Sequence, residues 1–129
     1  MDKYNRHKHL KTNQMKNANN EFHQFTGTEN WHKLMMNHTA TDGVMHVCNE
    51  LKCYWFIDVI LSYQMDERLR GEDFQTWKLT RTDGTEFIVE ATDGNDNVLV
   101  KQVIEFSDFE YDELTFWNVN RTIMLPSEY

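Results

Sequence analysis

The stretch Phe74-Gln75-Thr76-Trp77-Lys78-Leu79-Thr80-Arg81-Thr82-Asp83-Gly84-Thr85-Glu86-Phe87-Ile88-Val89-Glu90-Ala91 decides the fold. Large apolar side chains recur at every second position, Trp77 and Leu79 before Asp83-Gly84 and Phe87, Val89 and Ala91 after it. A period of two puts those side chains on one face of a strand, and Asp-Gly between two such runs is a strong signal for a tight hairpin turn. Phe74–Arg81 is therefore predicted to be a strand paired with its successor across Asp83-Gly84. Asp93-Gly94-Asn95-Asp96-Asn97 is the next turn. Val98 to Phe106 follows as a third strand, with Val98, Val100, Ile104 and Phe106 alternating inward. Leu114–Val119 and Thr122–Leu125 form a last hairpin across Asn120-Arg121, and Pro126 ends it.

Upstream the period lengthens. Val44, Val47, Cys48, Leu51, Trp55 and Val59 recur at helical spacing behind Thr41-Asp42-Gly43, which supplies an N-cap. Lys52 and Cys53 mark a break, and Tyr54–Leu61 is almost wholly apolar, as in a helix buried on most faces. Earlier still, Thr26-Gly27-Thr28-Glu29 has the spacing of a capping box and predicts a short helix from Gly27 to Met36. Helices first and strands afterwards give an α+β fold class. The expected architecture is a two-layer domain, N-terminal helices packed on a C-terminal antiparallel sheet of about five strands.

The chain has 129 residues, 40% apolar and 13% aromatic, enough for one domain with a real core. No apolar run reaches the roughly 18 residues needed to span a bilayer, and the N-terminal stretch lacks the apolar segment of a secretory signal. A cytoplasmic location in a bacterial host cell is the expectation. The net formal charge of −8 is unevenly spread. Lys3, Arg6, Lys8, Lys11 and Lys16 against Asp2 give residues 1–20 a charge of +4, which leaves −12 for residues 21–129. Residues 1–21 thus read as a disordered basic arm able to touch RNA or an acidic partner, and 22–129 as a single acidic domain. Such a body repels nucleic-acid phosphates and attracts basic protein grooves.

Motifs for chemistry are sparse. His46-x-Cys48-x4-Cys53 lacks the paired ligand spacing of zinc sites, and on a helix His46 and Cys48 point apart. Cys48 and Cys53, five apart in a helical stretch, read as buried reduced thiols rather than a disulfide. Asp93–Asn97 resembles the start of a calcium loop but has Val98 and Ile104 where glycine and glutamate belong. There is no nucleophile elbow among the three serines and no phosphate-cradling glycine loop. No metal and no cofactor is expected. Asp58 interrupts the apolar run 54–61. A buried carboxylate there is either paired structurally or poised as a general base, with His46 or His38 as partner, in a small hydrolase-like enzyme. The principal candidate is Ser107-Asp108-Phe109-Glu110-Tyr111-Asp112-Glu113. Phe109 and Tyr111 would anchor in a partner while Asp108, Glu110, Asp112 and Glu113 meet its basic groups.

Four motifs carry a resemblance: Phe25-Thr26-Gly27-Thr28-Glu29-Asn30-Trp31, Thr41-Asp42-Gly43-Val44, Tyr54-Trp55-Phe56-Ile57-Asp58 and Leu125-Pro126-Ser127-Glu128-Tyr129. Over about residues 22–129 the chain resembles a family of small proteins found in bacterial genomes and on phages, prophages and other mobile elements. Its signature residues are aromatic, turn or cap residues, which fits a shared fold better than a shared active site. The resemblance implies a mobile-element setting, and in general type the chain is similar to anti-CRISPR inhibitors. The expected function is inhibition of a bacterial RNA-guided defence nuclease, either by acidic occupation of its nucleic-acid channel or by the basic arm disturbing guide-RNA loading. Lys3, Arg6, Lys8, Lys11 and Lys16 would make the RNA contact. The alternatives are the hydrolase-like enzyme and a homo-oligomeric module joined through a strand edge.

Overall fold

The computed structural model describes residues 15–129. Among the described residues, three α-helices run over Ala18–Glu21 (α1), Asp42–Leu51 (α2) and Tyr54–Ser62 (α3). Seven strands, Trp31–Lys33 (β1), Thr39–Thr41 (β2), Phe74–Asp83 (β3), Glu86–Thr92 (β4), Val98–Ile104 (β5), Glu113–Val119 (β6) and Thr122–Met124 (β7), are followed by a 3-10 turn at Pro126–Glu128. All seven form one sheet in the order β1-β2-β7-β6-β3-β4-β5. The fold class is α+β.

The C-terminal half follows its period-two pattern. β3 and β4 pair across Gly84-Thr85, with Asp83 opposite Glu86 and Gly84 at a φ of +54° that glycine adopts without strain. β6 and β7 pair across Asn120 and Arg121, both at positive φ, as a tight hairpin requires. Trp77, Leu79, Phe87, Val89, Ala91, Leu114 and Phe116 are buried on one face. Against that face lies α3, whose Phe56 ring stacks on Phe116 with centroids 5.2 Å apart.

Three expectations are corrected. The sheet has seven strands and is mixed, because β2 pairs parallel with β7. The helix expected over Gly27–Met36 is absent, and β1 lies inside it. Thr28 and Glu29 do not cap a helix of their own but serve the start of α2. Thr28 Oγ1 accepts from the Asp42 amide at 2.8 Å, and the Glu29 amide donates to Asp42 Oδ2 at 3.1 Å. Helices therefore do not form an N-terminal layer laid on a later sheet. Two strands precede α2, and α1 sits beside the free edge of β6, where Asn19 Oδ1 accepts from the Thr115 amide at 2.6 Å.

The arm also ends sooner than residue 21. Lys16 and Asn17 are already tied to β6, and Ala18 is fully buried. The short β7 leaves β6 backbone unpaired at residues 113–115, and α1 fills that gap. Lys3, Arg6, Lys8 and Lys11 lie outside the described residues.

The α2–α3 junction matches the break read at Lys52-Cys53. Lys52 takes the left-handed conformation (φ 56°), and the Cys53 amide closes α2 by donating to the Cys48 carbonyl at 3.1 Å. Thr41 caps α2 at Val44 N, 3.3 Å away. Glu128 reinforces that start from the far end of the chain. Its carboxylate accepts from Thr41 Oγ1 at 2.6 Å, from the Gly43 amide at 3.2 Å and from the Leu125 amide at 2.9 Å. A carboxylate at a helix N-terminus meets unpaired N–H groups and the positive end of the dipole.

Candidate partner-docking surface

The connector from Ser107 to Glu113 leaves β5 and folds back under the β3–β4 turn. The Ser107 amide donates to the Thr85 carbonyl at 2.9 Å, and Ser107 Oγ accepts from the Phe109 amide at 3.1 Å. Arg81 holds the middle of the segment. Its Nε donates to Asp112 Oδ1 at 2.8 Å, and its Nη2 donates to the carbonyls of Phe109 and Tyr111 at 2.8 and 3.1 Å. The guanidinium also lies 4.6 Å from the centre of the Phe87 ring. Phe109 is only 3% exposed and meets Phe87 edge-on.

These contacts divide the six predicted binding residues. Phe109 is a core residue and does not project as an anchor. Asp112 is matched by Arg81, with a further bond from the Lys16 amide at 2.9 Å. Glu113 accepts from Asn17 Nδ2 at 3.1 Å and stands 3.9 Å from Lys78 Nζ. Tyr111 is half-buried, with Lys16 Nζ 5.7 Å from its ring centre and its hydroxyl 3.4 Å from Glu21 Oε1. Burial, then the charge of Glu21, raises its phenol above the ordinary value. Asp108 and Glu110 alone of the six are exposed. The backbone of Lys16, one of the candidate RNA contacts, ties the start of α1 to this segment, and its side chain is exposed.

Asp108 and Glu110 gain neighbours that the sequence reading passed over. Asp83 and Glu86 flank the β3–β4 turn, and Glu105 precedes Ser107; all three are exposed. None of these five carboxylates makes an ion pair with a described residue. Phe106, expected to face inward, lies next to Glu105 in the chain and is 65% exposed. Strand pairing ends at Ile104, so the alternation that placed Phe106 inside stops two residues before it. Val98 is likewise 56% exposed, beside a register shift at Ala91/Thr92. The signal for this surface was the density of acids on both sides of Asp83-Gly84; its assembly needed the fold-back of the connector.

The residues proposed for catalysis are kept apart. Asp58 is exposed on α3, so the buried carboxylate that motivated an enzyme does not exist. His46 is exposed and packs between the rings of Phe22 and Phe25 at 5.6 and 5.1 Å. His38 is buried, bonded through Nδ1 to the Met36 carbonyl at 2.8 Å and facing Asn118 through Nε2. Cys48 and Cys53 are buried free thiols. The hydrogen bond with Cys53, then burial, pushes the Cys48 thiol up, away from the reactive thiolate. Asp93 closes its own turn, accepting from Asn95 N at 2.8 Å and Asn97 Nδ2 at 2.8 Å. Among the described residues no three His, Cys, Asp or Glu side chains converge to hold a metal, and no helix is long and apolar enough to cross a membrane.

Fold and surface together define a small α+β protein with an acidic end that also exposes the aromatic ring of Phe106. A family described as of unknown function, DUF6876, matches residues 16–129, and the chain belongs to that family. No curated protein and no solved structure matches it.

Proposed function

We propose that this protein is a docking inhibitor, carried by a phage or mobile element, that covers a basic nucleic-acid-binding groove of an RNA-guided defence nuclease. The observation behind the reading is the exposed Phe106 ring, with exposed Glu105, Asp108 and Glu110 beside it in the chain and the turn between exposed Asp83 and Glu86 joined to it through the Ser107–Thr85 bond. Carboxylates without an ion-pair partner among the described residues steer the approach to a positive groove, and a desolvated aromatic anchor sets the lifetime of the complex. The basic residues Lys3, Arg6, Lys8, Lys11 and Lys16 enter this reading as the RNA contact that would disturb guide loading.

The test mixes the full chain with purified RNA-guided nucleases, with and without guide RNA, and measures binding by interferometry at two salt concentrations. Binding should weaken at least about tenfold between roughly 0.05 and 0.3 M salt. Phe106→Ala should speed dissociation by about tenfold or more. Absence of a complex at any salt rejects the proposal.

A second reading rests on β5. It ends the sheet, pairs with no described strand on its outer side, and exposes Val103 by 51%. An uncovered strand edge of this kind can pair with another copy. Light scattering distinguishes the readings: a mass near 15.5 kDa excludes the oligomer, and twice that mass favours it.

A further inference from the structure

We infer that the face of the sheet turned away from α2 and α3 is the contact through which two copies of this chain pack sheet on sheet. The strand registers fix which residues stand there. Lys78 faces Glu90 and Thr115, Thr76 faces Thr92 and Trp117, and Ile88 faces Val103. They alternate with Trp77, Leu79, Phe87, Val89 and Phe116, which are fully buried in the core with the helices, so they point the other way. Every such outward residue of β3, β4 and β6 is half-exposed or exposed, while nearly all their inward neighbours are buried. That alternation is what a sheet shows when one of its sides has no second layer among the described residues.

The chemistry of this face suits the loss of water. Phe74, Trp117 and Tyr129 form one ring cluster with centroids 5.1, 5.4 and 5.8 Å apart, and Val119 and Met124 extend it along β6 and β7. Ile88 and Val103 make a second apolar pair. Between these patches the polar groups satisfy one another. Thr76 Oγ1 bonds Thr92 Oγ1, Thr39 Oγ1 lies 3.2 Å from Thr122 Oγ1, and Lys78 Nζ stands 3.9 Å from Glu113 Oε2. Glu90 faces Lys78 on one side and Lys101 on the other. Polar groups already paired within a face cost less to bury.

Charge and size point to a second copy as the occupant. Residues 21–129 hold 8 basic and 20 acidic groups. Away from the β3–β4 turn this face holds Lys33, Lys78 and Lys101 against only Glu90 and Glu113. Two copies repel wherever their acidic surfaces approach, and on this face that repulsion is absent. A fitting partner is pleated and close to neutral. The same face of another copy is both, and a two-fold axis lets every contact form twice. Four strands of about seven residues, at about 3.3 Å per residue and 4.8 Å between strands, give β6, β3, β4 and β5 a projected area of roughly 450 Å². Side-chain relief, β7 and Tyr129 enlarge it toward the roughly 800 Å² of accessible surface that each partner gives to a stable interface. The contact uses neither the acidic end nor the β5 edge.

The experiment follows the full chain by light scattering at about 5 and about 500 μM, and records its methyl NMR signals beside a soluble paramagnetic agent at the same concentrations. The mass should rise from 15.5 kDa toward twice that value, and the Ile88, Val103 and Val119 methyl groups should lose their relaxation enhancement as it does. Ile88→Lys and Trp117→Lys should each weaken the dimer about tenfold or more. Raising salt from roughly 0.05 to 0.3 M should tighten it, because repulsion between like-charged bodies is screened. That is the opposite of the salt effect expected for docking on a basic groove, so the two readings fail separately. A mass of 15.5 kDa at both concentrations, or a dimer unmoved by both substitutions, overturns the inference. So does a dimer whose face methyl groups stay open while the β5 amides gain protection from hydrogen exchange, which is edge pairing. Protection of the same methyl groups in a monomer assigns the face to residues 1–14 of the same chain and overturns it equally.

Discussion

Arg81 and Asp112 face each other with Nε 2.8 Å from Oδ1, both side chains less than one-fifth exposed, and this one pair ties the acidic connector to the hairpin it borders. The same guanidinium satisfies two connector carbonyls, so it acts as a clamp as well as a counter-ion. Removing it leaves Asp112 poorly compensated and two carbonyls short of a donor. Arg81→Ala should lower unfolding stability by about 2–4 kcal/mol in urea denaturation. Arg81→Lys should recover less than half of that, because an ammonium cannot reproduce the fork. A loss below about 0.5 kcal/mol for the alanine variant would show that the clamp contributes nothing.

Two phenylalanines three residues apart should behave oppositely. Phe109 is 3% exposed and packs on Phe87, whereas Phe106 is 65% exposed. Phe109→Ala should cost about 3–5 kcal/mol through the cavity it opens, and Phe106→Ala should stay within about 0.5 kcal/mol of the parent. Thermal and urea unfolding of the two variants side by side reads this directly.

Gly43 is expected to change sign with its background. A Cβ there would stand 2.7 Å from Glu128 Oε2, displacing the carboxylate from Thr41 and from the Gly43 and Leu125 amides. In the parent, those losses should outweigh the gain of about 1 kcal/mol from replacing a helical glycine, so that Gly43→Ala destabilises. With Glu128→Ala already present the clash is gone, and Gly43→Ala should stabilise. A double-mutant cycle without that reversal would refute the role given to Glu128.

Acid should loosen the start of α2. The hydrogen bond with His32 holds the Asp42 carboxyl at about 2 against an ordinary 3.8, helped by the amides of Glu29 and Asn30 and opposed by burial. The folded value lies below the unfolded one, so this contribution is whole above about pH 4 and disappears as the pH falls toward 2. Asp42→Asn should flatten the pH dependence of stability in that interval. A carboxyl ¹³C titration placing Asp42 near 3.8 would contradict the contact.

Neither cysteine should react in the folded protein. Both are fully buried, and the Cys48 thiol is pushed up by its hydrogen bond with Cys53 and by burial. Labelling with an aromatic disulfide reagent should therefore track unfolding and accelerate in urea. Rapid stoichiometric labelling in native buffer would be incompatible with that burial.

The strands β3 to β7 and the two central helices were legible because each carries a strong local period or a turn that admits few conformations, as at Asp83-Gly84 and Asn120-Arg121. β1 and β2 were not. Three residues each is too short to display a period, and they are strands only because β7 offers β2 a backbone to pair with. Thr28 and Glu29 misled for a related reason: their side-chain and amide groups do cap a helix, but one that begins fourteen and thirteen residues further on. The acidic connector was found, yet its membership was misread, since Arg81, Asn17 and Lys78 reach it from strands and a segment distant in the chain. The His38–Asn118–Gln75 network joins residues 38, 75 and 118, a spacing that no motif encodes.

By itself the order of residues determined the fold class, the hairpins, the break at Lys52 and the acidic character of the body, because these follow from periodicity, turn conformation and charge, which are local or additive. Tertiary structure alone decided which carboxylates find no ion-pair partner among the described residues, that Phe106 is outside and Phe109 inside, and that no described residue donates to Asn118 Oδ1. Those outcomes depend on which distant groups arrive within hydrogen-bonding reach, and that distance is set only when the sheet closes.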